Sequence, residues 1–400
     1  MNIPKIRFKQ NNGENFPDWA QVKIYSLGEF IRGQTYSRDQ VTLDPSATFI
    51  VRSSNLIDGW FVDFCKDKQL ANVEVSDNEL LKSGDVVICT ANGSTSLVGK
   101  ASIYDGRYSG SISWGAFCSV FRSNQEAPLA KYFFRTPRYR KLITSMKQGG
   151  NGALGNLNVK EITNVSIPFP CAEEQQKIAS FFSTLDQKIE LNERKLEALE
   201  KLKKGVTQKI LNKKIRFQKD DGTDFPDTVS CSLRDISAYS KCIVEKKNSL
   251  FIGNEQLISN FGGATLNFRE VAKGNEFNSG DILFGNIRPY LKKVWLSNES
   301  GVASPDVLIF KATNAIPGYL KFILSSERFF NHVAQGYKGS KMPRGDKHQI
   351  MDFSIQCPCL EEQQKIADFL SALDSKIDIK RKTVATMRDL KRGLMQQMFV

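Results

Sequence analysis

Two stretches of this 400-residue chain place amide, basic and aromatic side chains directly after short apolar runs. They are TANGSTSLVGKASIYDGRYSG, which follows DVVIC, and GNIRPYLKKVW, which begins within the run DILFG. Asn, Arg and Lys side chains carry the hydrogen-bond donors and acceptors that the base edges of DNA require. The candidate residues in these stretches are Asn92, Lys100, Arg107, Asn286, Arg288, Tyr290 and Lys292.

A predicted helix and a second loop add further basic side chains. The segment PLAKYFFRTPRYRKLITSMK contains Arg135, Arg138 and Arg140 and has no acidic residue. Such a run suits phosphate contacts, which position a protein on DNA without reading sequence. The loop YKGSKMPRGDK supplies three more candidates for the DNA backbone or a groove, Lys338, Lys341 and Arg344. A solvated surface is the competing explanation for any one of these residues.

The composition favours a polyanionic partner. The net charge is +13 and the pI is about 9.2, and we expect nucleic acid rather than membrane because no apolar stretch has membrane-spanning length. The first residues lack the apolar core of a signal peptide, so we expect a cytoplasmic protein. The eight cysteines lack the spacing of metal ligands, and we expect them to be reduced and no metal to be bound.

Two internal repeats organise the chain. PCAEEQQKIASFFSTLD at 170–186 returns as PCLEEQQKIADFLSALD at 358–374, and KIRFKQNNGENFPDW at 5–19 returns as KIRFQKDDGTDFPDT at 214–228. The first helical segment runs directly into the second KIRF motif, whereas the first KIRF motif stands at the amino terminus. If the halves are related by a two-fold axis, that first motif lies beside the end of the last helix near Phe399. The two helices must then be antiparallel.

Both repeated helical segments carry apolar residues at a spacing of 3.5 residues over four heptads, which predicts a coiled coil. Polar residues interrupt the two copies at equivalent places, Asn192 and Lys203 in the first and Lys380 and Lys391 in the second. The alternative is that each apolar stripe packs on its own domain. The seam positions are Ile178, Phe182, Leu185, Ile189, Leu196, Ile366, Leu370, Leu373, Ile377 and Val384.

Gly205 and Gly393 fall outside the seam at matching positions. A glycine inside a helix costs about 1 kcal/mol relative to alanine. We interpret the pair as part of a docking face for partner helices, a tolerated surface glycine being the alternative.

The remaining segments predict two domains of mixed structure. Apolar runs such as DVVICTA, DILFGNI and DVLIFKA indicate strands bounded by Gly, Pro and Asp turns, and a helix follows in each half. We predict two α/β (α+β) recognition domains in tandem, separated by two long antiparallel helices in a pseudo-two-fold, circular organisation. The predicted segments are domain 1 at 1–169, the first helix at 170–212, domain 2 at 213–357 and the second helix at 358–400.

The repeated P-C-x-EEQQKIA openings, the K-x-G near each helix end, the segment GDILFGNIRPYLKKV and the offset duplication together resemble the specificity (S) subunit of type I restriction-modification enzymes. The resemblance covers nearly the whole chain. It implies two target-recognition domains that each read one half of a bipartite DNA site, and a subunit that is not itself catalytic. It also implies two modification (methyltransferase) subunits that use S-adenosylmethionine, and motor-nuclease restriction subunits that use ATP and magnesium.

The helix length gives a spacing for the two half-sites. Residues 178–210 span roughly 48 Å at about 1.5 Å per residue, which equals roughly 14 base pairs at about 3.4 Å each. Allowing for domain size, we expect half-sites about one helical turn apart. Because the two domains differ in sequence, we expect an asymmetric target with a nonspecific gap.

Enzymatic motifs are weak in this sequence. It has no G-x-x-x-x-G-K-[ST] phosphate loop, and GNGALG at 150–155 lacks the strand and helix that a dinucleotide site needs. Asp227 with Glu245 and Lys247 imitates a nuclease pattern, but the corresponding Asp18 has no such sequel. A stand-alone DNA endonuclease and a coiled-coil scaffold remain the alternatives, and we expect no cofactor on this chain.

Overall fold

The computed structural model describes residues 4–146, 155–339 and 341–399. The chain divides into unit 1, which comprises Met1–Leu191 and Val384–Val400, and unit 2, which comprises Asn192–Thr383. Each unit combines small sheets with helices, so the prediction of two tandem α+β domains is confirmed. The boundaries differ from the predicted segments, because each unit includes parts of both long helices.

Unit 1 is built from short strands on both sides of a buried centre. The strands are β1 (Ala20–Lys23), β2 (Gly28–Arg32), β3 (Val41–Thr42), β4 (Thr48–Val51), β5 (Trp60–Phe61), β6 (Leu70–Ala71), β7 (Val86–Cys89), β8 (Ala91–Asn92), β9 (Ala101–Ile103), β10 (Ile112–Trp114), β11 (Cys118–Ser123), β12 (Gly155–Asn156) and β13 (Ser166–Phe169). The five-stranded sheet has the order β2-β11-β7-β9-β5, and a four-stranded sheet has the order β10-β4-β6-β3. The buried, apolar strand β7 pairs with β11 in antiparallel register, with Val87 opposite Val120.

The helices of unit 1 cover one side of the five-stranded sheet. Phe121 of β11 packs on Phe134 at 4.6 Å between ring centroids, and Phe134 packs on Tyr139 at 5.2 Å. These helices are α1 (Ala130–Phe133), α2 (Pro137–Met146), α3 (Val159–Thr163) and the long α4 (Ala172–Leu211), which continues into unit 2.

Unit 2 repeats part of this plan with different strands. The elements are β14 (Val229–Ser232), α5 (Leu233–Ile236), β15 (Ser237–Tyr239), β16 (Ile243–Ile252), β17 (Phe268–Phe277), β18 (Ile282–Gly285), β19 (Val294–Leu296), β20 (Gly301–Ala303), β21 (Val307–Ala312), α6 (Pro317–Leu324), α7 (Glu327–Ala334), α8 (Lys347–Met351), β22 (Ser354–Cys357) and the long α9 (Leu360–Met398). The four-stranded sheet has the order β15-β21-β18-β19, and β16, β17 and β20 pair with one another in a closed set. Phe284 of β18 packs on Phe329 and Phe330 of α7, which covers the sheet.

The two long helices begin and end within two residues of the predicted bounds. Both start directly after a Pro-Cys pair, and both have two glutamates in the first turn, where carboxylates suit the positive end of the helix dipole. In unit 2, Nζ of Lys380 donates to Oδ1 of Asn192 at 3.0 Å, and Lys203 pairs with Asp374. Asn192 precedes Lys203 in α4, whereas its partner Lys380 follows Asp374 in α9. The two helical segments are therefore antiparallel in unit 2.

The predicted seam side chains point into the protein. Eight of the ten are buried, while Leu185 and Leu196 are half-buried. The first seam residues of each helix, Ile178 and Phe182 in α4 and Ile366 and Leu370 in α9, belong to the core of their own unit. The alternative of packing on the domain therefore accounts for these first turns.

The two repeated motifs contact each other within each unit. Nη2 of Arg7 donates to Oε2 of Glu174 at 2.6 Å, and Nη2 of Arg216 donates to Oε2 of Glu362 at 2.7 Å. The same guanidinium in each unit also donates to a backbone carbonyl of the FPD sequence. The KIRF and EEQQ motifs thus recur together because they contact each other in both units. We call the Arg7–Glu174 and Arg216–Glu362 contacts the Arg–Glu joint.

The amino-terminal segment lies beside the end of the last helix, as the order of the repeats predicted. The backbone N–H groups of Lys5 and Ile6 donate to the carbonyl of Gln397 at 2.9 and 3.2 Å. Trp19 packs edge-on against Phe399 at 6.5 Å between ring centroids. No described helix combines the length and the apolar composition that crossing a bilayer requires.

Candidate nucleic-acid interface

In unit 2, two of the predicted loops come together. The backbone N–H of Arg288 donates to the carbonyl of Pro343 at 2.8 Å, and Ile287 pairs with Arg344 in an isolated antiparallel bridge. The loop after β18 and the loop before α8 therefore form one surface. We call its exposed residues Arg288, Tyr290, Lys338, Lys341 and Arg344 the unit 2 basic patch.

Acidic neighbours orient part of this patch. Nη2 of Arg344 lies 3.0 Å from Oδ1 of Asp306, and Lys338 pairs with Asp346. Hydrogen bonds from Lys338 and from the backbone N–H groups of Gln349 and His348 lower the pKa of Asp346 to about 2. Asp346 also caps the amino terminus of α8, so the cap and the lysine are fixed by one carboxylate.

Lys292 lies at the end of the same loop in a left-handed backbone conformation, with a φ of 53°. Its Nζ is 2.6 Å from Oε1 of Glu327 and lies over the ring of Phe330. The side chain is half-buried, so it holds the loop onto α7 while the basic patch stays exposed.

Asn92 of unit 1 corresponds in sequence to Arg288 of unit 2, because both are the ninth residue of the matching GDVVICTANG and GDILFGNIRP segments, which contain β7 and β18. Asn92 pairs with Gly155 across β8 and β12, and its Nδ2 donates to Oγ of Ser53 at 2.9 Å. The predicted GNGALG motif at 150–155 lies outside the described residues except for Gly155. Among the described residues, Asn92 therefore lies beside β12, which begins at Gly155.

The other predicted residues of unit 1 are more dispersed. Lys100 is half-buried beside β9, and Arg107 is exposed but paired with Asp105 and Glu190. Arg138 and Arg140 are half-buried on α2, where burial lowers the pKa of Arg138. Arg140 pairs with Asp58.

Arg135 and Asn286 are corrections to the predicted set, because both are buried. The Arg135 side chain is 1% exposed, and it lies 3.1 Å from Asp186 and 2.7 Å from the carbonyl of Gly59. Asn286 exchanges hydrogen bonds with the backbone of Gly345 at 3.1 and 3.2 Å. Asp186 and the carbonyl of Gly59 hold Arg135 inside the core of unit 1, and Asn286 ties the two loops of the basic patch together.

Sequence reasoning missed the residues that surround Arg135. Trp60 and Asp186 were not among the candidates, although Asp186 ends the repeated STLD sequence and has an equivalent in Asp374 of SALD. That repetition was the available signal. The heptad pattern indicates Lys203 and Lys391 only as polar interruptions of the seam, yet Lys391 pairs with Asp186 and Lys203 pairs with Asp374.

The nuclease pattern does not form a metal site in the described residues. Within residues 4–146, 155–339 and 341–399, no group of three or more His, Cys, Asp or Glu side chains is arranged to hold a metal ion. Asp227 lies 3.6 Å from Arg216 of the repeated joint, and Glu245 of β16 lies 3.9 Å from Lys273.

Residues 17–201 and 228–386 match the family described as type I restriction modification DNA specificity domain. The chain belongs to this family. The family model matches both halves of the chain. The chain is therefore a type I specificity subunit, and its function is DNA recognition for a type I restriction-modification system. The endonuclease and scaffold alternatives have no support in these matches.

Individual relatives agree with this membership. The chain is 24% identical over 424 residues to the type I restriction enzyme MjaVIII specificity subunit of Methanocaldococcus jannaschii, covering 97% of this chain and 94% of the relative. It is 26% identical over 197 residues to the EcoKI specificity subunit of Escherichia coli, covering 48% and 41%. The fold matches the crystal structure of the S subunit from M. genitalium with a TM-score of 0.61 and 14% identity, covering 100% and 99%.

Proposed function

We propose that this specificity subunit reads an asymmetric bipartite DNA target, with unit 1 and unit 2 each reading one half-site. The observation that carries the proposal is that the two units share the Arg–Glu joint but have different loops. Each unit has the Arg–Glu joint and a segment that follows the buried strand β7 or β18. Asn92 lies three residues after β7 in unit 1, and Arg288 lies three residues after β18 in unit 2. Asn pairs best with adenine and Arg with guanine in the major groove, so the half-sites differ.

We infer that α4 and α9 form a coiled coil that separates the half-sites in a pseudo-two-fold arrangement. Buried seam residues and the cross-helix Asn192–Lys380 bond support it. Polar seam residues of this kind select register and orientation at a cost in stability. The helix length again favours half-sites about one helical turn apart.

The chain supplies recognition, and its partners supply chemistry. We propose that it is not catalytic, binds no cofactor and acts in the cytoplasm with two modification subunits and with restriction subunits. S-adenosylmethionine, ATP and magnesium belong on those partners. Gly205 and Gly393 are candidates for their docking face, because a Cβ built at either glycine meets nothing within 4 Å.

Sequencing the modified adenines of a host with and without the gene tests the proposal. We expect one motif made of two unlike elements separated by a fixed nonspecific gap. A single uninterrupted motif would overturn it. The variant Arg288→Asn sharpens the test, since it changes only unit 2 and we expect it to alter only one element. Lys382→Gln, an exposed change on α9, is the matched control and is expected to leave both elements unchanged.

A further inference from the structure

Four segments of unit 1 meet around one buried carboxylate. Asp186 of α4 is 9% exposed, and it binds Arg135, which follows α1, and Lys391 of α9. The side chains of Arg135 and Lys391 are 1% and 3% exposed. Trp60 of β5 covers the site, with its ring 4.8 Å from Nζ of Lys391 and 5.4 Å from the guanidinium of Arg135.

Stability alone is a poor explanation for this cluster. Taking charges out of water costs several kcal/mol per ion, so replacing a buried ion pair with apolar residues is often neutral or stabilising. The best attested use of buried polar groups is to select one register or orientation. Asp186 can accept from both cations only when the end of α1, α4 and α9 are in one arrangement. Trp60 of β5 packs against both cations in that arrangement.

Unit 2 has the same aspartate and helix lysine but a more open site. Asp374 pairs with Lys203 and Lys321, and these three side chains are between 26% and 30% exposed. The sequence QLISNF of unit 2 matches NLIDGW of unit 1, so Phe261 stands where Trp60 does. Phe261 instead packs on Phe330 and lines a groove of about 1040 Å³ that α4, α7 and α9 also line.

We propose that Trp60, Arg135, Asp186 and Lys391 are positioning residues that hold the recognition domain of unit 1 in one orientation on its helices. The inference rests on the proposed function. It follows that the cluster limits the gap length that the subunit accepts between half-sites. The open site of unit 2 imposes a weaker limit.

The test uses the full chain assembled with its modification subunits. Methylation rates are measured on duplexes that carry the native gap and gaps one base pair shorter or longer. Trp60→Ala is the main variant. Trp60→Phe keeps an apolar ring with a weaker cation–π attraction, and serves if the alanine variant does not fold. Lys203→Met, at the position equivalent to Lys391, is the control. Unfolding midpoints are recorded for all of them.

We expect Trp60→Ala to lower the preference for the native gap by roughly tenfold, about the worth of one partly desolvated cation–π contact, with little change in the native-gap rate. Trp60→Phe is expected to have an intermediate effect, and Lys203→Met a smaller one. Folded variants that keep the wild-type preference overturn the inference. Equal loss of rate at every gap also overturns it, because that is the result of structural damage. If the wild-type complex methylates all gap lengths equally, the result instead contradicts the proposed bipartite function.

Discussion

The carboxylate of Glu174 is fully buried and accepts from Nη2 of Arg7 at 2.6 Å, although 167 residues separate the two. The same bond joins Arg216 to Glu362 in unit 2. Glu174 also accepts from Nε1 of Trp19 at 3.1 Å. Its hydrogen bond to Arg7 raises the pKa of that guanidinium.

We therefore expect Glu174→Gln to destabilise the chain by about 3 kcal/mol, because it leaves a largely buried guanidinium without its anion. Glu362→Gln should cost less, since Arg216 is 30% exposed. Denaturant unfolding followed by circular dichroism measures both. Glu173→Gln, an exposed neighbour in the same helical turn, is the control. Equal stability of the Glu174 and Glu173 variants would contradict the role of the joint.

Asp374 of α9 makes the stability of unit 2 depend on pH. Burial raises the pKa of Asp374, but Lys321 and Lys203 outweigh burial and lower the pKa overall. A carboxyl group whose pKa is lower in the folded than in the unfolded protein stabilises the fold above its ordinary pKa of about 3.9. That contribution is lost as the pH falls through the lowered value.

Asp374→Asn is accordingly expected to cost about 2 kcal/mol near pH 7, with the difference from wild type shrinking below about pH 4. Unfolding midpoints measured between pH 7 and pH 3 provide the check. Asp378→Asn removes an exposed carboxylate one turn away, which pairs with Arg381 at 3.0 Å, and should show little effect. If the difference in stability between Asp374→Asn and wild type is the same at pH 3 as at pH 7, the charge of Asp374 is not its cause.

Repeats and periodicity predicted more of this molecule than side-chain chemistry did. The offset of the two motifs placed the amino terminus beside Phe399, and the repeated helical segments placed both helices within two residues of their ends. Arg135 could not be placed in the same way. Its burial depends on Asp186, which is 51 residues away, and on Trp60. Composition predicts a basic surface, but only tertiary packing decides which cations remain exposed.

The unit 2 basic patch should contribute both affinity and specificity. Lys341 is exposed and Arg288 lies at the loop exit. If Lys341 contacts a phosphate, Lys341→Gln weakens binding to all sequences and reduces the salt slope of binding by about 1.

If Arg288 reads a guanine, Arg288→Ala costs about 1 to 3 kcal/mol on the native target and relaxes one position of one half-site. Titrations of the assembled complex against native and single-substituted duplexes at several salt concentrations separate the two effects. Lys382→Gln, which also removes one positive charge, is again the matched control. Unchanged binding in both patch variants would move the interface elsewhere on unit 2.

Gly205 and Gly393 should separate folding from assembly. Because a Cβ at either position meets no atom within 4 Å, Gly205→Ala and Gly393→Ala are each expected to stabilise their helix by up to about 1 kcal/mol. The larger substitutions Gly205→Leu and Gly393→Leu, alone or combined in a double variant, should leave the chain folded. They should obstruct partner helices that approach closely at the glycines. Ser375→Leu, at an exposed position of α9 on the face away from the seam, adds the same side chain elsewhere. Analytical ultracentrifugation with the modification subunits is expected to show weakened assembly only for the glycine variants, and normal assembly of the double leucine variant would exclude these positions from the docking face.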